Sequence, residues 1–183
     1  MSQLKPPVGP RDHIKGNPKA PLTLLEYGDF ECPYCGQAYP VIKRIEEEME
    51  DNMRFVFRHF PLTQVHPHAF QAACAAEAAG LQGKFWEMHD ELFEHQYALE
   101  DEDLTEYAQA VGLNAAKFLK DLISLPVSKK VREDFLSGVR SGVNGTPTFF
   151  INGQRYIGPH EYKELFLALQ MELLKNEGKK AYE

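Results

Sequence analysis

The sequence is short of cysteine and of long apolar runs, and each shortage excludes a class of protein. Its 183 residues include 3 cysteines, too few and too unevenly spread for a secreted fold held together by disulfide bonds. No run approaches the roughly 18 apolar residues that a membrane-spanning helix needs, so we expect no membrane insertion. The hydrophobic fraction of 43% is that of a globular chain, and the length suits one domain, with or without an insertion.

Positive charge is also scarce. The 20 lysines and arginines are outnumbered by 27 acidic residues, which leaves a formal net charge of −7. An acidic protein is a poor ligand for a phosphate backbone, so nucleic acid is not an expected partner. The first twenty residues are rich in proline, glycine and charge and lack the apolar segment of a secretory signal. They predict an extended arm and a cytoplasmic protein, or a periplasmic one if a leader has been removed.

Apolar spacing predicts strands towards both ends of the chain. Alternation over residues 22–27 predicts a strand, helical spacing over 32–49 a helix, and alternation over 54–60 a second strand. A strand, a helix and a strand in such close succession indicate a parallel pair with a right-handed crossover. Near the other end, Asn152-Gly153 between two apolar runs is a strong hairpin signal, and a helical pattern follows it.

The middle of the chain contains only helical patterns. Amphipathic or alanine-rich stretches follow one another over residues 62–145 without a strand between them. The order β-α-β, helical block, β-β-α therefore predicts an α/β fold in which an all-helical subdomain interrupts the sheet domain. We assign residues 1–61 and 146–183 to the sheet domain, with residues 1–20 as its arm, and residues 62–145 to the insertion.

Two of the three cysteines form the motif Cys32-Pro33-Tyr34-Cys35 directly after a strand and at the first turn of a helix. The free N–H groups and positive dipole end of a helix N-terminus stabilise a thiolate, which is the nucleophilic form of cysteine. Two intervening residues bring both sulfurs over one turn, and Pro33 suits the first helical position. This spacing beside a βαβ unit is typical of a redox pair. We expect Cys32 to be the exposed, attacking sulfur and Cys35 the buried, resolving one.

The same two cysteines could instead form half of a zinc site or have a purely structural role. A zinc site needs two further ligands, and the nearest candidates are His66, His68 and Cys74, whose arrangement is unsuitable. We therefore expect no metal. Cys74 lies in an alanine-rich helix and is expected to be buried and inert, whereas His66 and His68 are expected to cap a helix or to be solvated. His59 and His89 fall in amphipathic patterns and are expected to be partly exposed.

Glu26 precedes the cysteine motif and shares a strand face with Leu22 and Leu24. A carboxyl buried there would have a raised pKa and could exchange a proton with Cys35. It could equally reach solvent at the end of the strand or pair with a lysine. The sequence leaves both interpretations open.

Thr146-Pro147 stands before the third strand. Proline is accepted at the first position of a strand in the ordinary trans form, whereas a cis peptide bond would bring the backbone of Thr146 beside the sulfurs. Cis X–Pro bonds are a small minority, so the residues by themselves do not decide between the two.

Two runs of sequence carry a resemblance to a known family: LLEYGDFECPYC at residues 24–35 and GTPTFF at residues 145–150. They are similar to those of the DsbA-like thiol–disulfide oxidoreductases of the thioredoxin superfamily, and the resemblance extends over nearly the whole chain. It implies a thioredoxin fold in which the helical block is the insertion. It also implies that Cys32 is the nucleophile and Cys35 the resolving cysteine.

The resemblance assigns roles to the flanking residues as well. Glu26 falls at the buried acid position, Pro147 at the cis-proline, and Thr146 at the position whose backbone binds an extended substrate peptide by strand addition. The helical block would partly cover the nucleophile. It would also shape a peptide groove against Phe30, Tyr34 and Thr146, and Pro33 is expected to contact the substrate as well.

The dipeptide Pro33-Tyr34 departs from the Pro-His of the strongly oxidising periplasmic members and is more similar to that of glutaredoxins. Because these middle residues tune the stability of the thiolate, a strongly oxidising potential is not expected. The implied partners are protein or peptide dithiols and disulfides, with glutathione or a thioredoxin system as redox partner. No metal or organic cofactor is required. The alternative function is a redox-silent metal- or peptide-binding module that uses the same groove.

Overall fold

The computed structural model describes residues 2–180, and Met1 and residues 181–183 lie outside the described part. None of the described helices combines the length and the apolar character that crossing a bilayer requires. The elements in chain order are β1 His13–Gly16, β2 Leu22–Gly28, α1 Pro33–Met49, β3 Met53–His59, α2 Ala69–Gly80, α3 Phe85–Glu94, α4 Asp101–Ala110, α5 Ala115–Leu122, α6 Leu125–Arg140, β4 Thr148–Ile151, β5 Gln154–Arg155 and α7 Tyr162–Lys180.

These strands form one mixed sheet in the order β1-β3-β2-β4-β5. β2 and β3, which α1 connects along the chain, pair in parallel, as the βαβ pattern predicted. The other pairs are antiparallel. β4 and β5 are joined by a tight turn in which Asn152 and Gly153 have positive φ values of 48° and 79°. An Asn-Gly pair favours this geometry, so the predicted hairpin is confirmed. The order of the strands and helices also confirms the predicted thioredoxin-like fold.

Both faces of the sheet are covered. Leu24 and Phe55 belong to a large apolar core that includes residues of α1 and α3, whereas Leu25 and Tyr27 belong to a smaller core with Phe135 of α6. A central strand between two cores is apolar along nearly its whole length, which is the burial pattern of β2. Any polar side chain on this strand is therefore enclosed by the fold.

The N-terminal arm is part of the sheet, because its residues His13–Gly16 pair with the edge of β3. The arm is fixed there by Arg58, whose Nε and Nη2 atoms lie 2.7 and 2.9 Å from the two carboxylate oxygens of Asp12. Both side chains are almost fully buried. A two-pronged guanidinium–carboxylate contact is directional, so it fixes the arm in one position. The proline- and glycine-rich composition of the arm did not indicate this strand.

Helices α2 to α6 lie between β3 and β4, where the helical block was predicted. α2 is central among them and packs against α3, α5 and α6, since its alanines allow the helices to approach closely. The large apolar core runs from the sheet into these helices without a break. The division into separate units at residues 62 and 145 therefore stays a prediction.

Candidate active site

Cys32 lies at the start of α1, after the loop that follows β2. It is the N-cap residue, with an extended backbone (φ −74°, ψ 120°), and Pro33 lies in the first helical turn, where its missing N–H leaves no bond unmade. The Gly36 amide donates to the Cys32 carbonyl at 3.1 Å and closes the first turn. The prediction that the motif begins a helix is therefore confirmed.

The environment of Cys32 favours its thiolate. A hydrogen bond with Cys35 is the main cause, and with Thr146 and the backbone amides of Tyr34 and Cys35 it outweighs burial and lowers the pKa of Cys32 to about 5. At neutral pH the sulfur is therefore largely ionised, which is its reactive form. When it is protonated, the thiol donates to the Thr146 carbonyl over 3.4 Å.

Cys32 is less accessible than predicted, since the residue exposes only 3% of its surface. The expectation of an exposed attacking sulfur is wrong in this respect. Gln96 of the helical block lies 3.0 Å from the Cys32 carbonyl, and Thr146 lies against the sulfur. A substrate therefore has only a narrow opening through which to reach the thiolate.

Cys35 has the opposite character. It is fully buried, and burial, the hydrogen bond with Cys32 and the negative charges of Glu26 and Cys32 raise its pKa well above the usual value. The two sulfurs are not bridged here. At neutral pH the pair therefore holds one proton, on Cys35, and carries one negative charge, on Cys32.

Glu26 is buried close to the cysteine pair, with 2% of its surface exposed. Burial raises the pKa of its carboxyl to about 8, with a further increase from the charge of Cys32 and a decrease from a hydrogen bond with Cys35. One carboxyl oxygen, Oε1, has no hydrogen-bond partner among the described residues. The expectation of a buried Glu26 is confirmed, and the alternative of a solvent-facing one is wrong. Proton exchange with Cys35 stays a prediction.

Thr146 and Pro147 border the nucleophile at the start of β4. Their peptide bond is cis, and Thr146 is half-buried. Beside them lies an open groove of about 410 Å³, also lined by Tyr156, Ile157 and His160. Ile157 is 80% exposed, so the groove offers both space and an exposed apolar side chain beside Thr146 and Pro147.

The residues predicted to bind substrate fall into two groups. Pro33 and Tyr34 are exposed and can meet an incoming peptide. Phe30 cannot, because it is 1% exposed and packs against Phe57 and Phe93 with ring centroids 5.2 and 4.9 Å away. The prediction for Phe30 is wrong: α3 of the helical block covers it, and a contact between such distant parts of the sequence leaves no local pattern.

Two histidines that were expected to cap a helix or to be solvated also bind the loop before Cys32. His68 is the N-cap residue of α2, without a side-chain capping bond, and both side chains are partly exposed. His66 Nδ1 lies 2.8 Å from Asp29 Oδ2, and His68 Nδ1 lies 2.9 Å from Glu31 Oε1. Burial lowers the pKa of His66, but the contact with Asp29 and the negative charge of Cys32 outweigh burial and raise it. The sequence predictions missed Asp29, since a single acidic residue in a loop gives no signal that it will be buried.

Predictions for three other side chains have mixed outcomes. Cys74 is buried, and burial raises the pKa of its thiol to about 12, which confirms an inert cysteine. His59 and His89 are 1% and 4% exposed, so the expectation of partly exposed histidines is wrong. α2 and α3 close over the sheet at these positions, and burial lowers the pKa of His89 to about 4.

One group within the described residues has ligand atoms close enough together for a metal ion: His59, Glu77 and Asp134. Neither cysteine of the motif belongs to it. Lys130 Nζ lies 2.7 Å from Asp134 Oδ2 and 3.7 Å from Glu77 Oε1. The lysine ammonium thus supplies the positive charge that two buried carboxylates require.

Known proteins share both the sequence pattern and the fold. A family model described as thioredoxin matches residues 9–170. A thioredoxin-like oxidoreductase from Silicibacter pomeroyi DSS-3 superimposes with a TM-score of 0.80 at 26% identity, covering 93% of this chain and 94% of that one. Oxidised BdbD from Bacillus subtilis superimposes with a TM-score of 0.78 at 22% identity, covering 88% of this chain and 92% of that one.

The curated relatives that this chain matches are longer proteins that are named as antiporters. The Na+/H+ antiporter NhaA 1 of Salinispora arenicola is 48% identical over 167 residues, which make up 91% of this chain and 26% of the antiporter. The chain thus spans about a quarter of the length of that relative. The fold is that of BdbD, and because the thioredoxin model matches most of the chain, this chain belongs to the thioredoxin family.

Proposed function

We propose that this chain catalyses thiol–disulfide exchange with protein or peptide substrates through Cys32 and Cys35. The supporting observation is the asymmetry of the pair, an ionised sulfur at a helix N-terminus beside a buried, protonated one. Exchange needs these two characters, because one sulfur must attack the substrate and the other must later release it. The proposed reaction requires no metal or organic cofactor.

The first step forms a mixed disulfide. The Cys32 thiolate attacks one sulfur of a substrate disulfide, and the substrate S–S bond breaks as the bond to Cys32 forms. The other substrate sulfur leaves as a thiolate and takes up a proton from solvent. Enzyme and substrate are then linked through a single S–S bond.

The second step resolves this intermediate. The Cys35 thiol gives its proton to the carboxylate of Glu26, whose pKa of about 8 leaves a usable ionised fraction near neutral pH. The Cys35 sulfur attacks Cys32, the bond to the substrate breaks, and the second substrate sulfur leaves as a thiolate. Two electrons have passed from the enzyme dithiol to the substrate, and the reverse sequence oxidises a substrate dithiol.

The groove beside Thr146 and Pro147 is our proposed binding site for the peptide. An extended chain there would hydrogen-bond to the backbone of Thr146 in the manner of an added strand. Exposed apolar atoms of Tyr34 and Ile157 would contact its side chains. Glutathione or a thioredoxin system would restore the redox state of the cysteine pair after each turnover.

Trapping of the mixed disulfide tests the assignment of the two sulfurs. Cys35→Ser should accumulate a covalent complex with a disulfide-containing peptide, whereas Cys32→Ser should form none and should not reduce insulin. Cys74→Ser is the matched control and should keep full activity, because that thiol is buried and protonated. Insulin reduction by Cys32→Ser at the wild-type rate would contradict the proposal.

Metal analysis separates this function from a metal-binding module. The enzyme should contain no stoichiometric zinc, and both Cys32 and Cys35 should close reversibly into one intramolecular disulfide. Zinc bound one to one, with both thiols protected from alkylation, would favour the module.

The proton acceptor has its own test. The rate of the resolving step should rise with pH through about 8, as Glu26 ionises, and Glu26→Gln should lose this rise. Stopped-flow measurement of mixed-disulfide decay gives the profile, and an unchanged profile would remove Glu26 from the mechanism.

A further inference from the structure

The side chain of Gln96 contacts the backbone of the catalytic loop directly. Its Nε2 lies 2.7 Å from the carbonyl oxygen of Phe30 and 3.0 Å from that of Cys32, and donates to both. A primary amide has two N–H groups, so each carbonyl receives its own hydrogen. Gln96 follows α3 in the helical block, far from this loop in sequence, and it is half-buried.

The two acidic residues of the same loop are also bound by the helical block. The Leu62 amide donates to Asp29 Oδ2 at 2.8 Å, and His66 contacts the same oxygen. The His68 amide donates to Glu31 Oε2 at 2.6 Å. With the two bonds from Gln96, each of the four loop residues from 29 to 32 is therefore hydrogen-bonded to the helical block. Among these contacts, those of Gln96 alone reach the backbone of the nucleophile itself.

Gly36 supplies the space in which Gln96 lies. A Cβ atom on this residue would come within 1.9 Å of Gln96 Oε1 and 2.7 Å of its Cδ, closer than any non-bonded contact permits. The Gly36 amide also donates to the Cys32 carbonyl. That carbonyl therefore accepts one hydrogen bond from its own helix and one from the helical block.

We propose that Gln96 is a positioning residue for the nucleophile, which holds the Cys32 backbone so that its sulfur stays at the N-terminus of α1, and that position 36 must be glycine to admit it. The inference rests on the proposed function of Cys32. Gln96 touches no reacting atom, and it acts through two carbonyl oxygens. Loss of its donors would remove these bonds from the Phe30 and Cys32 carbonyls and leave the Cys32 carbonyl with the Gly36 amide, which is unfavourable for such buried residues. It would also free the loop to move the sulfur away from the amides that stabilise its charge.

The consequence for the chemistry has a definite sign. A thiolate held less firmly at the helix N-terminus is less stable, so the pKa of Cys32 should rise towards that of an ordinary thiol. Because the reduced form of the pair is then less favoured, the disulfide should become harder to reduce. The helical block would in this way set the redox behaviour of a cysteine that belongs to the sheet domain.

Gln96→Met tests the proposal, since methionine keeps the length of the side chain and removes both donors. We expect the pH midpoint of Cys32 alkylation to rise by about one unit, and the equilibrium with glutathione to shift about tenfold towards the disulfide, equivalent to ~30 mV. Gln82→Met is the matched control. Gln82 makes the same kind of side-chain amide bonds, to the Asn114 backbone within the helical block, so its loss should lower stability without moving the alkylation midpoint.

Gly36→Ala tests the space requirement. It should raise the alkylation midpoint as Gln96→Ala does, and the double variant should show no more than the effect of Gln96→Ala alone, because the shortened side chain leaves room for the new methyl group. Independent, additive shifts would contradict the role of Gly36. A wild-type midpoint near 5 that Gln96→Met leaves unchanged would overturn the role of Gln96. An ordinary thiol midpoint in the wild type would instead contradict the proposed function.

Discussion

Replacing Glu26 by glutamine should stabilise the fold by an amount that depends on pH. The carboxyl has a pKa of about 8 in the folded state, against 4.5 for an ordinary glutamate. Because burial raises the pKa of Glu26 in the folded state, ionisation of its carboxyl costs more free energy there than in the unfolded chain. Below pH 4.5 both states are protonated and Glu26 does not weaken the fold. Above that pH the unfolded chain gains free energy by releasing the proton, and the penalty for folding grows until the pH passes the folded pKa.

The size of the effect follows from this difference in pKa. Each unit is worth about 1.4 kcal/mol. The penalty from Glu26 is therefore about 3 kcal/mol at pH 7 and about 5 kcal/mol above pH 8, but under about 0.5 kcal/mol near pH 4.5. Glutamine has nearly the same shape and cannot ionise, so Glu26→Gln should recover these amounts.

Urea unfolding of the reduced proteins between about pH 4.5 and about pH 9 measures the difference, with Trp86 as the fluorescent probe. Glu77→Gln is the matched control, a second glutamate that is buried. Burial favours its neutral form, but hydrogen bonds with His13 and His59 outweigh this and hold the pKa of Glu77 below its usual value. That substitution should therefore destabilise the fold at neutral pH. A difference between wild type and Glu26→Gln that does not change with pH would refute the reasoning.

Three further predictions concern potential and stability. The Cys32 pKa of about 5 lies between the values of about 7 for thioredoxin and about 3.5 for DsbA. The cysteine pair should therefore have a reduction potential of roughly −180 mV, measured by equilibration with glutathione. A potential near roughly −270 or −120 mV would contradict this prediction. Arg58→Met leaves the buried carboxylate of Asp12 unpaired and should cost about 3–5 kcal/mol in denaturant unfolding, more than the double variant with Asp12→Asn. Gly28→Ala puts a Cβ atom 2.4 Å from the Phe57 ring and should cost about 1–3 kcal/mol by the same measurement, and an unchanged midpoint would show that the ring moves freely.

Local signals in the sequence were sufficient for the elements that carry the chemistry. The Asn152-Gly153 pair predicts its turn because few residues accept positive φ at both positions. The two cysteines follow an apolar strand and precede a helical stripe, which predicts a thiolate at the helix N-terminus. Glu26 is on the same strand face as two leucines, so the period of the strand made burial one of its two interpretations.

Contacts between distant segments could not be predicted in this way. The sequence around Phe30 is the same whether this side chain lines a groove or packs under α3, so it does not distinguish the two. Nothing in the sequence around His66 predicts its contact with Asp29. Gln96 is an isolated polar residue in a helical block, and only the folded chain brings its amide to the loop carbonyls. For each of these residues the deciding interaction is tertiary, and periodicity along the chain does not report it.

The pairing of β1 with β3 has a consequence for the behaviour of shortened forms of this protein. The outer edge of β3 would otherwise present a row of free amide and carbonyl groups, which can recruit a strand from another molecule. A variant without its first sixteen residues would expose that edge and would also leave the guanidinium of Arg58 without its carboxylate. We expect such a variant to self-associate in size-exclusion chromatography and the intact chain to remain protected by its arm.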